Sequence, residues 1–206
     1  HGPGSQHNGI VAGIGGAFNS ESCGTCHGGS HHPQYPDWQA SSHADPVEEN
    51  RSSCVKCHDG AKFVDVQTNG EKAAVADAVS GITCATCHDQ HAVGTTTGVT
   101  TDVTVRVYGD TPVLLAGFQM FGVGNGAICM TCHNSRRGLR NDNTWPATVE
   151  SGDIARAPHG SAQTDLLAGE NAYLTEVGRR GNHSLVEDTC VNCHMEQTPP
   201  PDVLSY

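Results

Sequence analysis

Aromatic residues make up only 5% of the 206 positions, and hydrophobic residues reach only 36%. A chain so poor in large apolar groups cannot bury much side-chain surface of its own. Basic residues are equally scarce: 11 Lys and Arg stand against 22 Asp and Glu, a formal charge of −11. That balance makes nucleic acid and anionic lipid surfaces poor partners. No apolar run is long enough to span a bilayer, so membrane insertion is not expected. Residues 10–18 (IVAGIGGAF) are short and glycine-rich, neither signal peptide nor anchor. The last absence is a spare cysteine: one short pattern uses all ten.

That pattern is Cys-x-x-Cys-His, which occurs at Cys23-Cys26-His27, Cys54-Cys57-His58, Cys84-Cys87-His88, Cys129-Cys132-His133 and Cys190-Cys193-His194. Composition alone would give roughly 0.03 copies in a chain of this length. The pattern is the covalent attachment site of c-type haem. Two thiols add across the porphyrin vinyl groups, and the adjoining histidine takes one axial position on the iron. A zinc site needs four ligands but no histidine after each cysteine pair. A disulfide framework has no reason to place ten cysteines in five identical short pairs. A thioredoxin-like motif stands once, beside a βαβ pattern that is not visible here. The sequence therefore predicts five covalent c-type haems.

Five haems leave about 41 residues each, too few for separate haem domains. The expected fold is one domain over residues 1–206, a compact multihaem cytochrome c with the haems as its core. It is mostly irregular, made of loops with short α-helices and one small β-hairpin. The ten propionates and five ferric centres carry the formal charge from −11 to about −16. Arg136, Arg137, Arg140, Arg179 and Arg180 are candidates to neutralise propionates, with solvated surface charge as the alternative. Haem c is attached outside the bacterial cytoplasmic membrane, and His1 reads as the mature end left by signal cleavage. It is not a cysteine, which argues against a lipoprotein anchor. An exported, soluble protein is expected.

The intervals between motifs are uneven, at 26, 25, 40 and 56 residues. Pro36–His43 reads as a short helix started by proline and aspartate, and Lys72–Val79 as another. Val103, Val105 and Val107 alternate with polar neighbours as in a half-buried strand. Gly109-Asp110 is read as the turn, with Pro112–Phe118 returning as the second strand. Ser161–Leu174 has helical spacing at Leu166, Leu167 and Tyr173.

Six-coordinate iron in every haem requires five distal ligands. Eight histidines lie outside the motifs: His1, His7, His31, His32, His43, His91, His159 and His183. His43, His91, His159 and His183 are the expected distal ligands, and the fifth comes from His1, His7, His31 or His32. Met120 is the chemical competitor, but a methionine between Phe118 and Phe121 is more often core packing. Histidine ligation throughout keeps potentials low and leaves no iron open to substrate. That is wiring rather than catalysis, and the chain is not expected to be an enzyme.

Cys129–Leu139 (CMTCHNSRRGL), residues 157–167 (APHGSAQTDLL) and His183–Met195 (HSLVEDTCVNCHM) resemble the C-terminal half of extracellular multihaem cytochromes of metal-reducing bacteria. Cys84–His91 (CATCHDQH) and Trp38–Ala44 also fit. Some members polymerise into cytochrome nanowires, in which a histidine shortly after the first motif ligates a haem of the next subunit. The resemblance implies that His31 or His32 is the fifth distal ligand, within its own chain or across a subunit interface. Haem number and the spacing after His27 depart from that pattern.

Two electron-transfer readings follow. In one, the chain is the repeating subunit of an extracellular or cell-surface homopolymer with head-to-tail contacts, passing electrons to external acceptors. In the alternative it is a soluble, monomeric periplasmic shuttle docking on other redox proteins, similar to the small pentahaem donor of periplasmic nitrite reductase. The pentahaem nitrite reductases themselves are longer and attach the catalytic haem through a motif ending in lysine. All five motifs here end in histidine.

Overall fold

The computed structural model describes residues 19–29, 34–45, 54–69, 81–89, 105–136, 162–171 and 178–195. The chain divides into two compact units, His1–Arg106 and Val107–Tyr206. The described residues form short helices joined by irregular segments, with a single antiparallel β-bridge between His88 and Val105.

In the first unit α1 spans Ser20–His27. Asn19 caps it, its side chain accepting from the Ser22 amide at 3.0 Å, and Glu21 lies in the first turn where the helix dipole favours an anion. Helix α2, Gln34–Ala40, packs on α1 with the Tyr35 ring against Gly24. Pro36 thus sits inside the first turn of α2 rather than opening it. The Tyr35 and Trp38 rings stack at 5.7 Å, and the Trp38 indole donates to the Ile82 carbonyl at 2.7 Å. Val55–His58 forms α3, and Gly60–Asn69 forms α4, a helix absent from the sequence expectation. Asp59 is buried between them and caps α4, accepting from the Lys62 amide at 3.0 Å. Cys84–Cys87 forms α5 behind a reciprocal Thr83–Thr86 capping box. The expected helix Lys72–Val79 lies outside the described residues.

The second unit places its reversal elsewhere than the sequence suggested. The Gly109 amide donates to the Gly124 carbonyl, the Gly109 carbonyl accepts from the Val123 amide, Thr111 donates to Met120, and Leu114 to Phe118. The chain turns at residues 114–118, inside the segment read as a returning strand, and Val105 pairs with His88 instead. The alternation is real but lies further on. Leu114, Ala116, Phe118 and Met120 point inward and form the apolar cluster with Val123, Ala127, Met130 and Ala168, while Val113 and Phe121 are exposed. Met120 therefore packs in this core.

Ala127–Met130 forms α6, directly after a 3₁₀ turn at Gly124–Gly126. Helix α7 covers Gln163–Ala168 of the expected Ser161–Leu174, of which residues 161 and 172–174 lie outside the described residues. Gly169, in the left-handed region at φ 68°, ends it, and Leu166 is 72% exposed rather than part of an apolar face. A 3₁₀ turn follows at Asn182–Leu185, then α8 at Val191–His194.

Gly126 marks the tightest approach in this unit. A Cβ there would collide with the Thr189 hydroxyl and stand 2.8 Å from the Asp188 carbonyl oxygen and 3.2 Å from the Cys190 amide. Gly126→Ala is expected to destabilise this unit by about 1–3 kcal/mol in thermal melts. Gly181→Ala, where the added carbon meets nothing within 4 Å, is expected to stay within about 0.5 kcal/mol of the parent.

Candidate haem-attachment sites

Each motif folds as one helical turn. The amide of the motif histidine donates to the carbonyl of its first cysteine at 3.1 Å in Cys54–His58 and at 3.0 Å in Cys84–His88, Cys129–His133 and Cys190–His194. Cys23–His27 is the C-terminal part of α1. Positions i, i+3 and i+4 of such a turn share a face, so in the motifs that begin at Cys54, Cys84, Cys129 and Cys190 both cysteines and the histidine are presented to the same side. That is the donor set a covalently held haem needs: two thiols for the porphyrin edge and one imidazole for the iron.

Neighbouring side chains hold the motif turns. The Ser20 hydroxyl receives the Cys84 amide at 3.1 Å and the Cys84 thiol at 3.3 Å, tying α5 to α1. Arg106 spans the exit of the third motif, its guanidinium donating to the Ala85 carbonyl at 2.8 Å and its amide to the Cys87 carbonyl at 2.9 Å. After the fourth motif, buried Asn134 donates to the carbonyls of Met130 and Thr131, both at 3.0 Å. Buried Asp165 accepts from the Ser135 amide at 2.9 Å, the Ser135 hydroxyl at 2.5 Å and the Asn171 amide group at 2.6 Å, seating α7 beside the motif. Gln163 of α7 then stands 3.3 Å from His133 Nδ1. With Nδ1–H donating to Gln163 Oε1, the Nε2 lone pair is the one presented to a metal.

The fifth motif is entered through a strained backbone. Asp188 and Thr189 have φ of 55° and 42°, a region a β-branched residue rarely adopts. The Asp188 carboxylate accepts from the Asn125 amide at 2.8 Å and its side chain at 3.0 Å, and the Thr189 hydroxyl donates to the Val123 carbonyl. These contacts hold the strain next to Cys190.

Thiols of different motifs meet. Cys23 hydrogen-bonds Cys84, and burial followed by the Cys84 charge raises its pKa. Burial pushes the Cys87 thiol up to about 11, with Cys84 adding to the rise and Arg106 opposing it. Cys190 is drawn down to about 6, first by its hydrogen bond with Cys129, with help from Thr189 and against the effect of burial. Among the described residues no three of His, Cys, Asp and Glu converge as a metal-ion site requires. The chemistry of the donor set, two thiols and an imidazole on one turn, fits haem c.

Of the expected distal ligands, His43 and His183 are described, and both are exposed. His43 precedes the second motif in sequence, yet its carbonyl accepts from the Ile82 amide at 3.0 Å, two residues ahead of the third motif. His183 lies in the 3₁₀ turn that leads to the fifth. His31, His32, His91 and His159 lie outside the described residues, as do His1, His7, Arg137 and Arg140. Arg136, Arg179 and Arg180 are exposed. Ser20, Gln163 and Asp188 carried no signal in the sequence, because each acts through a residue remote from it in the chain.

In the haem-free chain iodoacetamide at pH 7.5 is expected to modify Cys190 well ahead of Cys87, as mapped by peptide mass spectrometry. The Cys190 thiolate should add stability that is fully present above the ordinary thiol value and lost as pH falls through about 6. Equal rates at the two cysteines would show that these environments are not held in solution.

No protein-family model matches the chain, and neither the curated proteins nor the solved structures compared with it show a match.

Proposed function

We propose that this chain is a pentahaem c-type cytochrome, an electron-transfer protein whose five bis-histidine haems form a continuous conducting chain. The observation that carries the reading is the five-fold Cys-x-x-Cys-His pattern that consumes all ten cysteines, joined to the helical turn each copy adopts. Bound haem supplies a one-electron iron couple at each site. The chain's own residues supply the rest. Cysteine pairs fix each group covalently, His27, His58, His88, His133 and His194 provide the proximal nitrogen, and Gln163 orients the imidazole of His133. His43, His91, His159 and His183, with His31 or His32, are the distal ligands of this reading.

By the resemblance carried by the C-terminal half, the chain is the repeating subunit of an extracellular filament that exports electrons to external acceptors. Among the described residues no helix is long and apolar enough to cross a membrane.

Pyridine-haemochrome assay and intact mass of the protein exported from a host with haem-attachment machinery are expected to give five covalent haems per chain. A protein without covalent haem would overturn the reading. Electron microscopy of the loaded protein at low concentration is expected to show ordered filaments. His31→Ala or His32→Ala should abolish them while all five haems remain attached. Discrete particles of monomer mass would instead identify a periplasmic shuttle.

A further inference from the structure

The two thiol contacts between motifs share one geometry. In each, the first cysteine of one motif meets the first cysteine of another: Cys23 with Cys84, and Cys129 with Cys190. The separation is the same, 61 positions from 23 to 84 and 61 from 129 to 190. The first pair skips a motif, since Cys54–His58 intervenes, whereas the second joins consecutive motifs.

The surroundings also correspond at a constant offset of 106 positions. Asn19 precedes α1, and Asn125 stands at its counterpart ahead of α6. Ser20 receives the Cys84 amide at 3.1 Å, and its counterpart Gly126 lies under the Cys190 amide, 3.2 Å from where a Cβ would stand. Thr83 enters the third motif and Thr189 the fifth, both buried. Asp59 and Asp165 are both buried carboxylates that accept backbone amides. The approaches of Ser20 to Cys84 and of Gly126 to Cys190 each join residues 64 positions apart, so local propensity alone does not produce them.

We propose that the chain carries two equivalent two-haem modules, one built on the first and third motifs and one on the fourth and fifth. In each module the haems meet at the edge held by the first cysteines. This rests on the haem reading above. A thioether link places the porphyrin ring edge two bonds from sulfur, so first cysteines in contact bring two haem edges together. Electron tunnelling falls steeply with edge-to-edge distance, so each module is a fast-exchange pair. The Cys54–His58 haem is the addition to the repeated plan, and the order of electron passage in the first unit departs from the order of the motifs.

The test is a high-resolution structure of the haem-loaded protein, after its haem count is fixed by pyridine haemochrome. The Cys23–Cys84 and Cys129–Cys190 sulfur pairs are expected within about 4–4.5 Å, and the two haem pairs should superpose. Soret circular dichroism gives a second readout. Cys84→Ala with Cys87→Ala, and Cys190→Ala with Cys193→Ala, should each remove one exciton contribution, while Cys54→Ala with Cys57→Ala retains both. Five haems with other sulfurs in contact, or with non-superposing pairs, would overturn the modules and leave the cytochrome reading standing. Fewer than five covalent haems would overturn both.

Discussion

One backbone hydrogen bond recurs through this protein: the amide of a motif histidine donating to the carbonyl of the first cysteine four residues earlier. It closes a single helical turn, and everything that makes the motif chemically useful depends on that closure. In an extended conformation the two thiols and the imidazole would diverge. In a turn they share a face. An isolated turn is unstable in water, because nucleation fixes several dihedrals for one bond. The remainder of the described structure can be understood as what keeps these turns closed.

Apolar burial contributes little of that support. The second unit has one modest cluster around Met120 and Met130, and in the first unit Phe63 is the only large aromatic side chain buried among the described residues. Side-chain caps act beside it. Asn19, Asp59, Thr86, Asn134, Asp165 and Asp188 each satisfy backbone groups next to a motif or a helix end. Such bonds contribute about 0.5–1.5 kcal/mol each when made and cost more when a buried partner is orphaned. A chain with few large side chains is thereby specified by polar geometry, and the proposed haems would complete its core.

The acidic excess looks different in this light. Asp59 and Asp165 are buried, and Asp188 is half-buried with both carboxylate oxygens engaged. These charges are fasteners rather than solvating surface. Arg106 plays the matching role on the basic side, holding the exit of the third motif against Ala85 and Cys87. The strained pair Asp188-Thr189 shows the strength of this scaffold, since it holds a β-branched residue at positive φ beside a thiol drawn down to about 6.

The sequence alone determined the motifs, because their chemistry is local: two thiols and an imidazole within five residues need only one turn. It also determined the shortage of apolar side chains and the rough sites of α2 and α7. Its hairpin was misplaced because Gly109-Asp110 carries turn residues, whereas the reversal at residues 114–118 is decided by packing Leu114, Phe118 and Met120 into one cluster. Helix α4 was illegible for a similar reason, since its start rests on the buried cap Asp59 and on Gly60 pressed against Thr86. Only the tertiary structure decided which motifs touch. Cys23 and Cys84, like Cys129 and Cys190, are 61 positions apart, and no local propensity reaches that far; long-range packing brings such residues together.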